Sequence, residues 1–511
     1  MLRSGIAIIA AGLMSSCGLP PLDNRSESQA TMTQEGLDTR LGQSLAPLAA
    51  QHPGLSGVLP LTDSLDAFAA RILLIAAAER SVDVQYYIWR DDITGNLLLR
   101  ALHDAAQRKV RVRLLLDDNG TNGLDSKLAL LNAEPNVEVR LFNPFPFRVF
   151  KPLGFLTDFR RLNRRMHNKS LTVDGQATIV GGRNIGDEYF GATQAVAFAD
   201  LDVLVTGPAV NAVSLDFDRY WNSPSAYPLE QLISPPGSRK TQALLQDEAN
   251  AALVPKAHAY VQAITQSRFI ENLHDGQLAF LWAPVRLVSD DPAKALGQAS
   301  PDKLLMARLA DVLGTPNHSV DLISPYFVPT SQGVEAFGKL AEQGVHLRVL
   351  TNAMEATDVL AVHAGYAKYR VPLLEQGVEL YELRRNSDSE RPREKAGPFG
   401  SSGSSLHAKT FAVDGERVFV GSFNFDPRSA QLNTELGFVI ESAALAQAMS
   451  QAFDHSVPHY AYQLELDDKH EIAWLEQGPD GVIRHTSEPS TSFWKRTYLR
   501  LLSILPIEPL L

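Results

Sequence analysis

Two short runs in this chain hold the residue types best suited to chemistry, and they hold them in the same order. From Arg164 to Asn184 the sequence reads "RRMHNKSLTVDGQATIVGGRN", with His167, Lys169 and Asp174 before a Gly-Gly-Arg-Asn end. From Ser405 to Asn424 it reads "SLHAKTFAVDGERVFVGSFN", with His407, Lys409 and Asp414 before a Gly-Ser-Phe-Asn end. The second His follows the first by 240 residues (407 − 167), and in both runs an Asn, Asn184 or Asn424, stands 17 positions after the His. One His-x-Lys-x-x-x-x-Asp pattern is weak evidence of function. Two copies with the same Asn offset, the same flanks and the same Asp-Gly are hard to obtain by accident.

The residue types point to phosphate diester chemistry. Two lysines supply charge and donors that suit a diester oxyanion, and two asparagines add neutral donors. One imidazole can attack phosphorus while the other protonates the leaving oxygen. Neither run is complete alone, so the two must face each other, and the scheme needs no metal and no other cofactor. The acid pairs Asp91-Asp92, Asp117-Asp118 and Asp290-Asp291 are the raw material of a weaker metal-phosphatase reading. They lie far from the motifs in sequence and read as solvated loop and strand ends.

The elements around the motifs explain how they would be aimed. Each His-x-Lys opens an apolar strand, "SLTV" or "TFAV". Residues i and i+2 of a strand share a face, so each His points with its Lys. The Asp-Gly that follows precedes a second β-rich run, which is a hairpin signal. Asp174 and Asp414 therefore read first as turn formers, a reading that competes with a catalytic role for the motif's third letter. The hairpins return to Gly182 and Asn184, and to Ser422 and Asn424, beside the His-Lys face.

Both halves then alternate strand and helix with the same step lengths. Strands are expected at 81–88, 110–118 and 137–142, and again at 319–327, 345–352 and 378–383, with helices between them. A further helix is expected ahead of the first strand, with Ser64 as its N-cap. This is an α/β chain with central, mostly parallel sheets, built by internal duplication. Its 511 residues, 45% hydrophobic, exceed one ordinary domain and suffice for two cores. The formal net charge of −11 lowers the expectation of a nucleic-acid partner without excluding a local basic groove.

The single cysteine, Cys17, excludes an internal disulfide framework and a cysteine metal cluster. It follows Arg3, an apolar run from Gly5 to Met14, and Ser15-Ser16, which reads as a short signal peptide. The run resembles a bacterial lipoprotein signal, although Met14 stands where that family prefers Leu. The resemblance implies acylation of Cys17, on the periplasmic side, and Gly18 in place of Asp favours the outer membrane over the inner.

The two motifs, with Gly-Gly-Arg-Asn and Gly-Ser-Phe-Asn, resemble the phospholipase D superfamily. Further stretches, "SLDAFAARI", "VDVQYYIW", "RLNRRMHNKS", "DLISPYFVPT", "GSFNFDPRSAQLNTELGFVIES" and "SFWKR", are most similar to bacterial cardiolipin synthases of the C branch. The resemblance runs from about residue 60 to the end. It implies two tandem α-β-α domains related by a pseudo-twofold. The expected organisation is a signal peptide at 1–17, a tether at 18–60, phospholipase D-like domains at 61–235 and 301–460, a connector at 236–300 and a C-terminal extension at 461–511. It also implies an acid that orients each His, which falls on Asp200, with Asp202 as competitor, in "FADLDVLV" and on Glu435 in "NTELGFVI".

The resemblance further implies that His167 attacks a phospholipid and forms a phosphatidyl-histidine, while His407 acts as acid and then base. Phosphatidylglycerol is the implied acceptor, and phosphatidylglycerol or phosphatidylethanolamine the donor. The resulting expectation is a cardiolipin synthase. Hydrolysis of phospholipid, or less readily of nucleic acid, is the alternative within enzymes, and an inactive lipid-binding scaffold the alternative outside them. No protein partner is implied. A membrane surface is suggested by residues 141–165, where Phe145, Phe147 and Phe150 are interleaved with Arg160, Arg161, Arg164 and Arg165 ahead of His167. The C-terminal "SFWKRTYLRLLSILPIEPLL" is a second interfacial candidate.

Overall fold

The computed structural model of the chain describes residues 18–23, 25–193, 197–251, 255–275, 277–385 and 405–511. Cys17 and the expected signal peptide lie outside them. The first half contributes strands β1 (Ser56–Leu61), β2 (Ser81–Ile88), β3 (Arg111–Gly120), β4 (Val137–Phe142), β5 (Ser170–Val173), β6 (Ala177–Gly181), β7 (Phe198–Ala199), β8 (Asp202–Thr206), β9 (Ala226–Pro228) and β10 (Leu281–Ala283). The second contributes β11 (Val285–Ser289), β12 (Ser319–Ile323), β13 (His346–Asn352), β14 (Glu379–Leu383), β15 (Ser405–Leu406), β16 (Thr410–Val413), β17 (Arg417–Gly421), β18 (Leu436–Glu441), β19 (Ala461–Leu466), β20 (Ile472–Gly478) and β21 (Gly481–His485).

These strands build two mixed sheets of one design. The first runs β10-β1-β8-β6-β5-β2-β3-β4-β9 and the second β11-β18-β17-β16-β12-β13-β14-β19-β20-β21. In each, three central strands are parallel (β2, β3, β4 and β12, β13, β14) and the motif hairpin pairs antiparallel beside them. The connections between the parallel strands are helical, as parallel pairing requires. The helix Ser64–Ala77 is capped by Asp63, whose side chain accepts from Leu65 and Asp66, and Ser64 is its first residue.

The two sheets meet through apolar faces. Val58, Val180, Val203 and Val205 of the first share one buried cluster with Ala412, Val418, Val420, Phe438 and Ile440 of the second. Burial of this kind is the dominant favourable term in holding such layers together. It fixes one motif hairpin against the other. Short main-chain contacts complete the seam: β7 pairs parallel with β15, and Met166 bridges Thr434.

Three stretches differ from expectation. The lead-in before residue 60 is packed on the first half: Arg25 donates to the carbonyls of Asn222 and Ser223, Arg140 donates to the Ser26 carbonyl, and Ser56–Leu61 is a sheet strand. Its Gly, Ser and Gln content suggested a tether, but its backbone groups find partners. The apolar connector run is cut at Pro284 into β10 and β11, one for each sheet. The C-terminal extension begins as β19–β21, which lengthen the second sheet, before the final helix Phe493–Ile504. Among the described residues, no helix is long and apolar enough to cross a membrane.

Candidate active site

The start of each motif strand sits at the seam, which brings both His-Lys pairs into one buried place. His167 and His407 are 7% and 6% exposed, and Lys169 and Lys409 are buried with them. Each acid grips the His of the opposite half. Glu435 Oε2 lies 2.8 Å from His167 Nδ1, and Asp200 Oδ2 lies 2.6 Å from His407 Nδ1. The Ser422 carbonyl is a second acceptor for His167 Nδ1 at 3.1 Å. Acceptors on Nδ1 hold the hydrogen there, which leaves His167 Nε2 free for chemistry, whereas Lys409 Nζ lies 2.9 Å from Nδ1 and 3.2 Å from Nε2 of His407. Asp202, the competing acid, is committed to Arg71 at 2.8 Å and Arg183 at 3.2 Å.

Small residues make room for this grip. A side chain at Gly182 would place Cβ 2.1 Å from Asp200 Oδ1. At the matching place in the other half, Ser422 donates its hydroxyl to Glu435. Aromatic rings flank both imidazoles: Tyr87 meets His167 edge-on at 5.0 Å, and Tyr189 meets His407 at 5.1 Å. Asn184 is a brace in this arrangement. Its side-chain NH2 donates to the Tyr189 hydroxyl at 3.0 Å and its oxygen accepts from Ile88 N at 3.2 Å. Asn424 keeps a buried side-chain oxygen with no partner.

Electrostatics separates the two histidines. Burial, followed by Lys169 and Lys409, pushes His167 well below the usual imidazole range. Burial and Lys409 lower His407 too, but Asp200 opposes them. Burial pushes Asp200 up, yet His407 and Lys409 hold it down at about 2. Burial raises Glu435 to about 7. Both rings are thus shifted toward the neutral form, His167 further than His407, because ionised Asp200 opposes the shift at His407 alone. Burial also brings Lys169 to about 7 and Lys409 to about 8.

Asp174 and Asp414 are not in this place, which corrects a catalytic role for them. Both lie at the far end of the motif strands with φ of 53° and 55°, ahead of Gly175 and Gly415, also at positive φ. Asp174 accepts from the N–H groups of Glu79, Arg80 and Ser81, and Asp414 from those of Asn317, His318 and Ser319. Each therefore ties its hairpin to the start of the neighbouring parallel strand. Hydrogen bonds to a charged acceptor are worth about 1.5–3 kcal/mol each. Asp174→Ala is expected to lower the melting temperature by several degrees, with kcat/KM of the folded protein within about threefold of the parent. A large catalytic loss at unchanged melting temperature would restore the catalytic role.

The acid pairs are also spoken for. Asp117 holds Arg165, Asp118 holds Arg148 and Lys151, and Asp92 caps a helix. Asp290, read from sequence as solvated, is buried beside the site: it accepts from the Glu435 N–H at 2.9 Å and pairs with Lys294 at 2.9 Å. The i, i+4 spacing of Asp290 and Lys294 was the only trace of this in the sequence.

The proposed docking residues divide. Phe145 is buried at 1% exposure, and Arg165 is buried under it. Arg161 pairs with Asp158, Arg164 donates to the carbonyls of Lys294 and Gln431, and Phe147 is half-buried. Phe150 and Arg160 remain exposed, in the company of Val149, Leu153, Leu156 and Phe159. The final helix exposes Phe493, Trp494, Tyr498, Leu501 and Ile504. Arg428 links the segments that follow these two patches, donating to Asn163 and to the Leu510 carbonyl.

The family described as "Cardiolipin synthase, PLD-like domain" matches residues 72–221 and 309–457. The chain is 52% identical to cardiolipin synthase C of Escherichia coli, over 92% of this chain and all of that one. It is 27% identical to a cardiolipin synthase of Geobacillus kaustophilus, over 78% of this chain and 64% of that one. Among solved structures, phosphatidylserine synthase of Haemophilus influenzae shares the fold at a TM-score of 0.50 and 14% identity, covering 82% of this chain and 91% of that one.

Proposed function

Because the chain belongs to the cardiolipin synthase, phospholipase D-like family, we propose that it makes cardiolipin by phosphatidyl transfer at the composite site. The observation that carries this reading is the crossed grip: each His is oriented by a carboxylate of the other half. Nε2 of neutral His167 attacks phosphorus of the donor lipid. The phosphorus–oxygen bond to the head-group alcohol breaks, and His407 gives its Nε2 proton to that oxygen. A phosphatidyl-histidine and a free alcohol result. The hydroxyl of phosphatidylglycerol then enters; its proton passes to His407, its oxygen bonds phosphorus, and the phosphorus–nitrogen bond breaks. With phosphatidylglycerol as donor the products are cardiolipin and glycerol; with phosphatidylethanolamine the leaving alcohol is ethanolamine. Water in place of the lipid hydroxyl would give phosphatidic acid. Lys169 and Lys409 bind the diester oxygens.

The test is product analysis: purified protein on phosphatidylglycerol vesicles in EDTA, with and without phosphatidylethanolamine. Cardiolipin with matching glycerol or ethanolamine supports transfer; phosphatidic acid alone means the protein is a hydrolase, and turnover abolished by chelation would overturn the metal-free scheme.

Phosphate binding by lysines near 7 and 8 sets a pH dependence. As pH rises through these values the free enzyme loses positive charge, so kcat/KM is expected to fall above about pH 8. Bound phosphate favours the charged lysines, so the same limb in kcat moves to higher pH. Profiles of kcat/KM that stay flat or rise from pH 7 to pH 10 would contradict this role.

The exposed apolar residues of 149–159 and of the final helix support docking on a membrane, with Arg160 and Arg500 available for anionic head groups. Leu156→Glu with Trp494→Glu removes two insertions worth about 1.5–3 kcal/mol each. Binding to anionic vesicles is expected to weaken on the order of 100-fold, with turnover of a dissolved short-chain lipid retained. Unchanged sedimentation with vesicles would move the docking face elsewhere. Anchorage through acylated Cys17, on the periplasmic side and at the outer membrane, belongs to the same proposal. A diacylglyceryl adduct in the intact mass of membrane-extracted protein tests it.

A further inference from the structure

The two halves differ at one place where the shared topology predicts sameness. The helix Ser64–Ala77 lies between β1 and β2, as helix Leu305–Leu313 lies between β11 and β12. Likewise Ile93–Gln107 corresponds to Thr330–Glu342. In the first half these helices pack directly on each other, and connector helices Pro255–Thr265 and Arg268–His274 close over the first of them. Tyr260, Ile264 and Phe269 of the connector enter that core. In the second half the corresponding pair encloses a cavity of about 450 Å³, lined by Leu309, Leu313, Phe337, Leu340, Phe423 and Phe425 among others. Its size falls in the range of about 300–1,000 Å³ that ligand sites occupy.

The position of this cavity says what would fill it. Its lining extends from exposed Ala310 and Ala336 at the rim to Phe425 and Asp426, one and two residues beyond Asn424 of the second motif. Asp426 is near enough to Lys409 to raise its affinity for a proton. A third wall is helix Pro427–Gln431, whose Arg428 donates to Asn163 and to the Leu510 carbonyl. The cavity's lining therefore runs from Asp426, within electrostatic reach of Lys409, to the exposed rim at Ala310 and Ala336.

We propose that this cavity takes an acyl chain of a phospholipid bound at the His-Lys site. The proposal rests on the reading of the chain as a phospholipid enzyme. It assigns the second half a lipid-tail pocket that the first half has closed with its own connector.

Ala310→Phe and Ala336→Trp place bulk at the rim on exposed helical positions, outside the catalytic machinery. Initial rates are measured as head-group glycerol released from phosphatidylglycerol with two six-carbon chains in solution, and with two sixteen-carbon chains in mixed micelles. Expected is a loss of at least about tenfold in kcat/KM for the long-chain lipid, with the short-chain rate within about twofold of the parent, since burial of chain methylenes is what the variants remove. A long-chain lipid with a terminal diazirine should label peptides from 305–313 or 330–342 in the parent and not in the variants. Equal effects on both substrates, no effect on either, or labelling confined to the exposed patches would overturn the pocket. So would a co-purifying polypeptide seated in the groove. Head-group release counts hydrolysis and transfer alike, so absence of cardiolipin would sink the synthase reading and leave this result standing.

Discussion

Asn in place of His167 is expected to abolish turnover, with a loss on the order of 10⁴-fold or more, because it removes the assigned nucleophile. His167 is kept neutral by burial and by two lysines, and its Nδ1 is occupied by Glu435 and the Ser422 carbonyl. Its one free nitrogen is therefore a nucleophile. His407→Asn should cost as much with natural lipids, for a different reason. The leaving alkoxide would have no proton donor. The distinction shows with an activated lipid whose head group is p-nitrophenol. That group departs without protonation, so His407→Asn should still release one equivalent quickly, whereas His167→Asn should release none. Equal bursts from both variants would reverse or merge the assigned roles.

The second large effect concerns the carboxylates. Asp200→Asn keeps the size of the side chain and removes the charge that supports an imidazolium on His407. In a serine protease triad, replacing the carboxylate that orients the His by its amide costs up to about 10⁴-fold, and a loss of about 10²–10⁴-fold is expected here. The loss should fall on kcat with natural lipids and shrink with the p-nitrophenyl lipid, because Asp200 acts through the acid. Glu435→Gln should impair both substrates, because it acts through the nucleophile. Since the carboxylates are swapped between halves, a variant in the first half disables the acid carried by the second. If Asp200→Asn instead impaired the burst with the activated lipid as severely as Glu435→Gln does, the crossed pairing would be wrong in solution.

Much of this was legible in the sequence because it repeats. The alternation of apolar strand and helix, doubled, gave the two sheets, and His-x-Lys on each strand gave a shared face. The Asp-Gly turns were legible too, since positive φ at both positions suits Asp and Gly. What could not be read was the direction of short, irregular pieces. Strands β7 and β15 are two residues long, too short for any period, yet their pairing decides that Asp200 meets His407. In 141–165 the regular structure after β4 is a 3-10 turn, Lys151–Leu153, and a helix kinked at Asp158, so no period in the order of residues separates buried Phe145 from exposed Phe150. Val149 and Leu156, the most exposed apolar residues there, lack the aromatic signature that drew notice to their neighbours. The cavity of the second half became visible only by comparing it with the first.

The measurement that bears most directly on the account is the location of the covalent intermediate. The His407→Asn protein is mixed with the p-nitrophenyl lipid, quenched in base to preserve phosphohistidine, and mapped by peptide mass. A phosphatidyl group is expected on the peptide that carries His167, in proportion to the p-nitrophenol released. Release of p-nitrophenol with no adduct, or an adduct on any other residue, would contradict it.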